Sequence, residues 1–151
     1  MNEYTALRAR IRAEIDEFPI VFAFSEEQLT AGLEKLGATR DEVVAIGAGG
    51  FVRKADRAAF DAMWDRQADA MDKAMADDDF MADAIRYELG NHEYCITYDP
   101  EPTLSALGLS MSDERVARVF KATAKKYLDE YWAWVEAEEE KERALAANGE
   151  G

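Results

Sequence analysis

The chain has only one cysteine, Cys95, and only one histidine, His92. One cysteine excludes an intrachain disulfide and is typical of a reducing compartment. Long apolar runs are also missing. The longest, residues 18–24, contains a proline and is far shorter than the roughly 20 residues that a membrane helix needs. The charged N-terminal segment lacks the apolar core of a signal peptide. These absences predict a cytoplasmic protein that makes no membrane contact.

Basic residues are the minority, with 18 Lys and Arg against 32 Asp and Glu and a net charge of −14. This charge repels nucleic acid and anionic membranes, so it predicts no direct nucleic-acid binding. It favours basic partners such as the nucleic-acid-binding groove of another protein, a basic peptide or metal cations. The alternative is that the acidic residues serve only solubility.

Apolar residues make up 48% of the 151 positions, enough for one hydrophobic core. We therefore expect a single globular domain over residues 1–145, followed by a disordered tail at residues 146–151. Apolar spacing and capping signals place the helices, and a Gly-rich turn between two apolar runs places a β-hairpin. The predicted helices are 4–18, 26–36, 56–75, 78–89, 103–107 and 112–144; the hairpin is 43–53, and 20–24 and 94–98 are candidate strands. The predicted fold class is α+β, mostly α: a helical domain with one small β-hairpin or few-stranded sheet.

Acidic residues concentrate in residues 61–101, where twelve acids accompany three bases. Four of them follow helical spacings of 4, 4 and 3 and share one face, opposite a predicted core stripe that includes Phe60, Met63, Trp64 and Met71. Together with two acids further along the chain they form the predicted partner-binding surface: Asp61, Asp65, Asp69, Asp72, Asp79 and Asp83. The alternatives are a solvated helix face, or docking inside the fold against a basic segment made of Arg115, Arg118, Lys121, Lys125 and Lys126.

A second candidate site is the polar cluster Glu88, Asn91, His92 and Glu93. Glu88 and His92 are four residues apart, a spacing that suits a shared metal on a helix. We expect Gly90 and Asn91 to end the helix between them, which would separate the two side chains. The favoured interpretation is a hydrogen-bonded histidine at a helix-to-strand turn, with no catalytic residue, no metal site and no cofactor. Cys95 is predicted to be a buried strand cysteine.

The last predicted helix, capped by Ser110 or Ser112, is apolar on more than one side. Its predicted buried stripe consists of Val116, Phe120, Thr123, Tyr127, Tyr131 and Trp134. Leu128 and Trp132 lie off that stripe. An exposed aromatic patch marks a protein interface, so a homodimer through residues 127–135 is a further hypothesis.

Four motifs follow one another between residues 18 and 108. They are Phe22-Ala23-Phe24-Ser25 with Gln28, Ile46 to Lys54 (IGAGGFVRK), Tyr87 to Tyr94 (YELGNHEY) and Thr103 to Gly108 (TLSALG). In this order they resemble a family of short uncharacterised proteins encoded by bacteriophages and integrated mobile elements. The resemblance implies a protein that acts in the cytoplasm of a bacterial host, and it assigns no catalytic residue.

These observations lead to one main functional hypothesis. The chain is predicted to be a non-enzymatic, acidic, protein-binding inhibitor of a host nucleic-acid-binding defence system, of the anti-CRISPR or antirestriction type, that imitates nucleic acid. One alternative is a small metal-dependent or acid/base enzyme centred on Glu88, His92 and Glu93. The other is an accessory structural protein of a mobile element.

Overall fold

The computed structural model of the protein describes residues 2–149 and confirms the mostly helical α+β class. Its elements are α1 (Glu3–Glu17), β1 (Val21–Phe22), α2 (Glu26–Leu36), β2 (Val43–Gly47), β3 (Gly50–Arg53), α3 (Arg57–Met75), α4 (Asp78–Asn91), α5 (Tyr94–Thr97), α6 (Glu101–Leu107) and α7 (Glu114–Gly149). The backbone contacts group the chain into a central unit, Ala6–Ala74, and a terminal unit that contains the chain up to Thr5 and from Met75 onward. The single-domain hypothesis over residues 1–145 stays a prediction.

Helix α2 begins and ends where the sequence predicts. The Ser25 hydroxyl accepts a hydrogen bond from the Gln28 backbone N–H, and the Gln28 side chain accepts one from the Phe24 N–H. At the other end Gly37 takes the left-handed conformation (φ 60°), and its N–H bonds back to the last turn. These caps satisfy backbone groups that the helix leaves unpaired.

The three strands form one antiparallel sheet in the order β1-β3-β2, which confirms the predicted hairpin of β2 and β3. Val44 pairs with Val52, and Val21 of β1 pairs with Phe51. Val52 is fully buried, and the sheet packs on α2 around Val21, Leu36 and Val43. The candidate strand at residues 20–24 is thus the short edge strand β1, Val21–Phe22.

The turn between β2 and β3 has three consecutive residues with positive φ: Gly47, Ala48 and Gly49. Glycine adopts such angles without strain, which explains the Gly-rich sequence at this point. Arg53, at the end of β3, donates from Nε to Asp56 at 2.7 Å.

The core of the terminal unit lies where α4 packs on α7 and α6. Its buried members are Met81, Ile85 and Leu89 of α4, Leu104 of α6, and Val116, Val119, Phe120 and Ala124 of α7. On α7 the buried residues end at Ala124. Trp134, placed by the sequence in the buried stripe, is 59% exposed, because its helix face extends past the core.

Several predicted boundaries in the terminal unit were wrong. Residues 94–97 form the short helix α5 instead of a strand, with left-handed residues on either side at Glu93 and Tyr98. Tyr94 packs edge-to-face on Phe120, so tertiary packing outweighs the strand preference of the segment. Asp113, rather than Ser110 or Ser112, accepts hydrogen bonds from the first backbone N–H groups of α7.

Two more boundaries lie further along their helices than the sequence suggests. α4 continues through Gly90 to Asn91, because glycine weakens a helix without forcing it to end. Helix α7 reaches Gly149, so it includes residues 146–149 of the expected tail. Residues 150–151 lie outside the described part of the chain. No helix within residues 2–149 is long and apolar enough to cross a bilayer.

Two helical glycines should respond in opposite directions to replacement by alanine. A Cβ at Gly32 would lie 2.9 Å from Cγ2 of Val21, whereas a Cβ at Gly90 would meet only the Tyr127 hydroxyl at 3.9 Å. Alanine normally favours a helix by up to about 1 kcal/mol over glycine. We expect Gly90→Ala to raise the melting temperature and Gly32→Ala to lower it, because the clash pushes α2 away from β1. Thermal melts of both variants test this, and a rise for Gly32→Ala would contradict the described packing of β1 on α2.

Candidate functional site

The acidic stripe of α3, defined as Asp61, Asp65, Asp69 and Asp72, is exposed along its whole length. Successive members lie about 4.5–6 Å apart along the helix axis. Two members have partners on their own helix: Arg57 donates to Asp61 at 3.0 Å, and Lys73 lies 2.9 Å from Asp69. The hydrogen bond to Asp69 raises the pKa of Lys73. Within residues 2–149, Asp65 and Asp72 form no ion pair, so the stripe keeps unneutralised charge.

An exposed tryptophan lies beside the acidic stripe. The sequence placed Trp64 in the core, but its side chain is 57% exposed, and only Met63 and Gln67 of α3 are buried. Trp64 stacks on Phe60 and lines a shallow depression of about 250 Å³ with Ile11, Ile15 and Met71. Hydrophobic periodicity could not reveal this, because it identifies an apolar face without showing how much of that face is covered.

The two remaining acids of the predicted surface lie on α4 in the terminal unit. Asp79 is exposed in the first turn. Asp83 is half-buried and accepts a hydrogen bond from the backbone N–H of Glu3 at 2.9 Å. Its own backbone carbonyl accepts one from the Asn2 side chain at 2.8 Å. Asp83 therefore holds the first turn of α1 through one of its carboxylate oxygens, whereas Asp79 forms no ion pair within residues 2–149.

The basic segment of α7 pairs with acids of its own unit. Arg115 donates from Nε to Asp78 at 2.6 Å and also bonds the Met75 carbonyl, while Arg118 donates to Asp78 at 3.0 Å. Lys125 donates to Asp129 at 2.6 Å. Lys126 lies 3.9 Å from Glu130. Four of the five bases that the sequence offered as internal partners of the stripe are thus paired in the terminal unit, and within residues 2–149 Lys121 forms no ion pair.

Asp78 should make folding stability sensitive to acid. The hydrogen bonds from Arg115 and then Arg118 hold the pKa of Asp78 below its ordinary value of 3.8. The folded state therefore favours the carboxylate, and the stability gained is complete above pH 3.8 and lost as the pH falls below it.

As the pH is lowered through this acid range, we expect the melting temperature of Asp78→Asn to fall less than that of the wild type. Thermal melts over a pH series test this, with Asp79→Asn as the control. Equal pH dependence of all three proteins would contradict the role given to Asp78.

Glu88 forms the centre of a buried polar cluster in the terminal unit, where it is only 4% exposed. Its Oε1 accepts a hydrogen bond from the Tyr4 hydroxyl at 3.1 Å, and its Oε2 accepts one from the Asn91 amide at 3.3 Å. The prediction that Gly90 separates Glu88 from His92 was wrong. The helix continues, and Nε2 of His92 lies 3.1 Å from Oε2 of Glu88.

The contact between His92 and Glu88 is close but poorly directed. At 3.1 Å the two atoms are within ion-pair distance, yet Nε2 of His92 makes no well-oriented hydrogen bond with the described residues. The contact therefore becomes an ion pair only when His92 is protonated. Glu93 is exposed, and within residues 2–149 no three His, Cys, Asp or Glu residues converge as metal ligands. The described residues of the cluster therefore bring one carboxylate against one imidazole and do not form a three-ligand metal site.

Cys95 lies on α5 and is half-buried, so the prediction of a buried strand cysteine was wrong. Its thiol is next to two phenols of α7. Burial, followed by the contact with Cys95, raises the pKa of Tyr127. The charge of a Cys95 thiolate, followed by burial, raises the pKa of Tyr131. Neither phenol is a base that would activate the thiol at neutral pH, so the arrangement is not that of a nucleophilic site.

A comparison with protein families places most of the chain in a family. Residues 3–126 match the model of a family described as a family of unknown function (DUF7659). No curated protein and no solved structure matches the chain.

Proposed function

This chain belongs to the DUF7659 family of unknown function, and we propose that it is a non-enzymatic inhibitor that binds a basic groove of a nucleic-acid-binding defence protein in a bacterial host. The observation that carries the proposal is the exposure of all four carboxylates of the acidic stripe on one face of α3. Carboxylates at this spacing can occupy positions that a basic groove offers to phosphates. The resemblance of its four motifs to mobile-element proteins supports the bacterial setting and a target of the CRISPR or restriction type.

Trp64 supports the proposal because charge alone gives fast but short-lived binding. Long residence needs an apolar anchor, and tryptophan is the residue most enriched at such positions. Trp64, Ala68 and Met71 border the acidic stripe on the same helix. In this arrangement the stripe steers the partner toward α3, and Trp64 with its neighbouring depression slows dissociation.

The proposal is tested by capturing partners from a bacterial lysate with the tagged chain. We expect the wild type to retain a nucleic-acid-binding protein that added double-stranded DNA releases. A variant with all four stripe residues changed to Asn should not retain it. The control changes the exposed Glu17, Glu34, Glu136 and Glu140 to Gln, which removes the same charge elsewhere and should leave capture intact. Equal capture by the two variants would contradict the proposal.

A second candidate function is acid/base catalysis at Glu88 and His92, favoured by their 3.1 Å contact. A buried carboxylate beside a histidine can hold and transfer a proton. Assays with ester and phosphoester substrates test this candidate. An activity that is lost in both Glu88→Gln and His92→Gln, while both variants stay folded, would place catalysis ahead of inhibition.

A further inference from the structure

The middle of α7, residues 121–142, carries a heptad stripe that faces away from the core of the terminal unit. The stripe consists of residues spaced 4, 3, 4, 3, 4 and 3 apart: Lys121, Lys125, Leu128, Trp132, Val135, Glu139 and Glu142. None of them is buried, and Trp132 is 46% exposed. This spacing is the one with which two helices pack in a coiled coil.

The charges of the stripe complement those of a second copy of the stripe that runs in the opposite direction. Its centre is apolar, with Leu128, Trp132 and Val135. Two lysines come before the centre and two glutamates follow it. A second α7 packed antiparallel would place Lys121 level with Glu142 of the other copy and Lys125 level with its Glu139. Parallel packing would instead place like charges opposite each other.

We propose that two copies of this chain form a twofold symmetric dimer through an antiparallel pairing of their α7 helices. Trp132 meets its symmetry mate at the twofold axis, and Leu128 packs on Val135 of the second copy. Each of the two Lys–Glu pairings occurs twice, as an isologous interface requires. The stripe spans about 30 Å of helix.

Existing surface ion pairs do not oppose this dimer. Lys125 contacts Asp129 at 2.6 Å, and Glu139 contacts Arg143 at 3.4 Å, both within one helical turn. These side chains are exposed, and exposed pairs of this kind contribute little stability. They can exchange partners when a second helix arrives. The dimer involves α7 alone and does not depend on the function proposed for the α3 stripe.

Charge reversal and mixing test the proposal by sedimentation equilibrium on the full chain. We expect the wild type to be a dimer. Lys121→Glu/Lys125→Glu makes the stripe acidic at both ends, and Glu139→Lys/Glu142→Lys makes it basic at both ends. Each variant alone should dissociate, with a dimer dissociation constant raised about tenfold or more. An equimolar mixture of the two should form a heterodimer.

Two controls fix the location and direction of the interface. Glu140→Lys, next to the stripe, should leave the dimer intact, whereas Glu139→Lys should weaken it. In a Cys95→Ser background, a chain with Leu128→Cys should form a disulfide with a chain carrying Val135→Cys. Two chains that both carry Leu128→Cys should not form a disulfide with each other, because in antiparallel helices the two cysteines at position 128 lie about 10 Å apart along the axis.

Three results would overturn the proposal. The first is a wild type that stays monomeric at all concentrations, which would mean that the stripe binds a different protein. The second is a dimer that neither charge reversal weakens, and the third is a disulfide between two Leu128→Cys chains. Circular dichroism of each variant shows that α7 remains helical, so that loss of the dimer cannot be mistaken for unfolding.

Discussion

Glu88→Ala is expected to lower the free energy of unfolding by about 3 kcal/mol, because it removes a buried acceptor that several polar groups share. The Tyr4 hydroxyl and the Asn91 amide both donate to this carboxylate, and His92 lies 3.1 Å from it. Without the Glu88 carboxylate these donors would border a cavity that contains no hydrogen-bond acceptor. Chemical denaturation of the wild type and the variant measures the difference.

Two further variants make the Glu88 result specific. Glu88→Gln keeps a carbonyl oxygen that can accept from Tyr4, so it should cost less than Glu88→Ala. Glu93→Ala removes an exposed carboxylate five residues away and should change the unfolding free energy by less than about 0.5 kcal/mol. Equal losses for Glu88→Ala and Glu93→Ala would show that the buried cluster adds no stability.

Leu89→Ala should cause the other large loss, about 2–5 kcal/mol, because it leaves a cavity in a closely packed core. Leu89 is fully buried among residues of α4, α6 and α7. Leu145→Ala on α7 is the matched control, since that side chain is 72% exposed and its loss should have almost no effect. The difference in melting temperature between the two variants measures the contribution of the core. A small difference would contradict the packing of α4 on α7.

Local signals in the sequence were enough to predict the elements whose ends are set by nearby residues. Ser25 and Gly37 bound α2, the glycines at 47 and 49 form the hairpin turn, and Gly108 closes α6. In each case the deciding interaction lies within a few residues of the boundary. Capping and turn chemistry therefore predict these elements without knowledge of the rest of the chain.

The predictions that were wrong concern features decided by distant residues. Tyr94 belongs to a helix because it packs on Phe120, and no local pattern contains that information. Trp64 has helical core spacing, yet its exposure depends on what covers α3. The prediction that Gly90 ends α4 was wrong for a different reason, since glycine weakens a helix without forcing it to end, and the continued helix brings Glu88 and His92 together. The four carboxylates of the acidic stripe were predicted to be exposed, and this was confirmed, because aspartates are rarely buried unless they are paired.

The measurement that tests the central claim most directly is the binding kinetics of the captured partner with variants of α3. Asp61, Asp65, Asp69 and Asp72 changed together to Asn should lower the association rate constant and abolish its salt dependence, because the stripe supplies the steering charge. Trp64→Ala should mainly raise the dissociation rate constant. The four-residue variant should melt close to the wild type, since its altered side chains are exposed. A four-residue variant that binds with unchanged kinetics, or that melts many degrees lower, would contradict the assignment of the acidic stripe as the partner-binding surface.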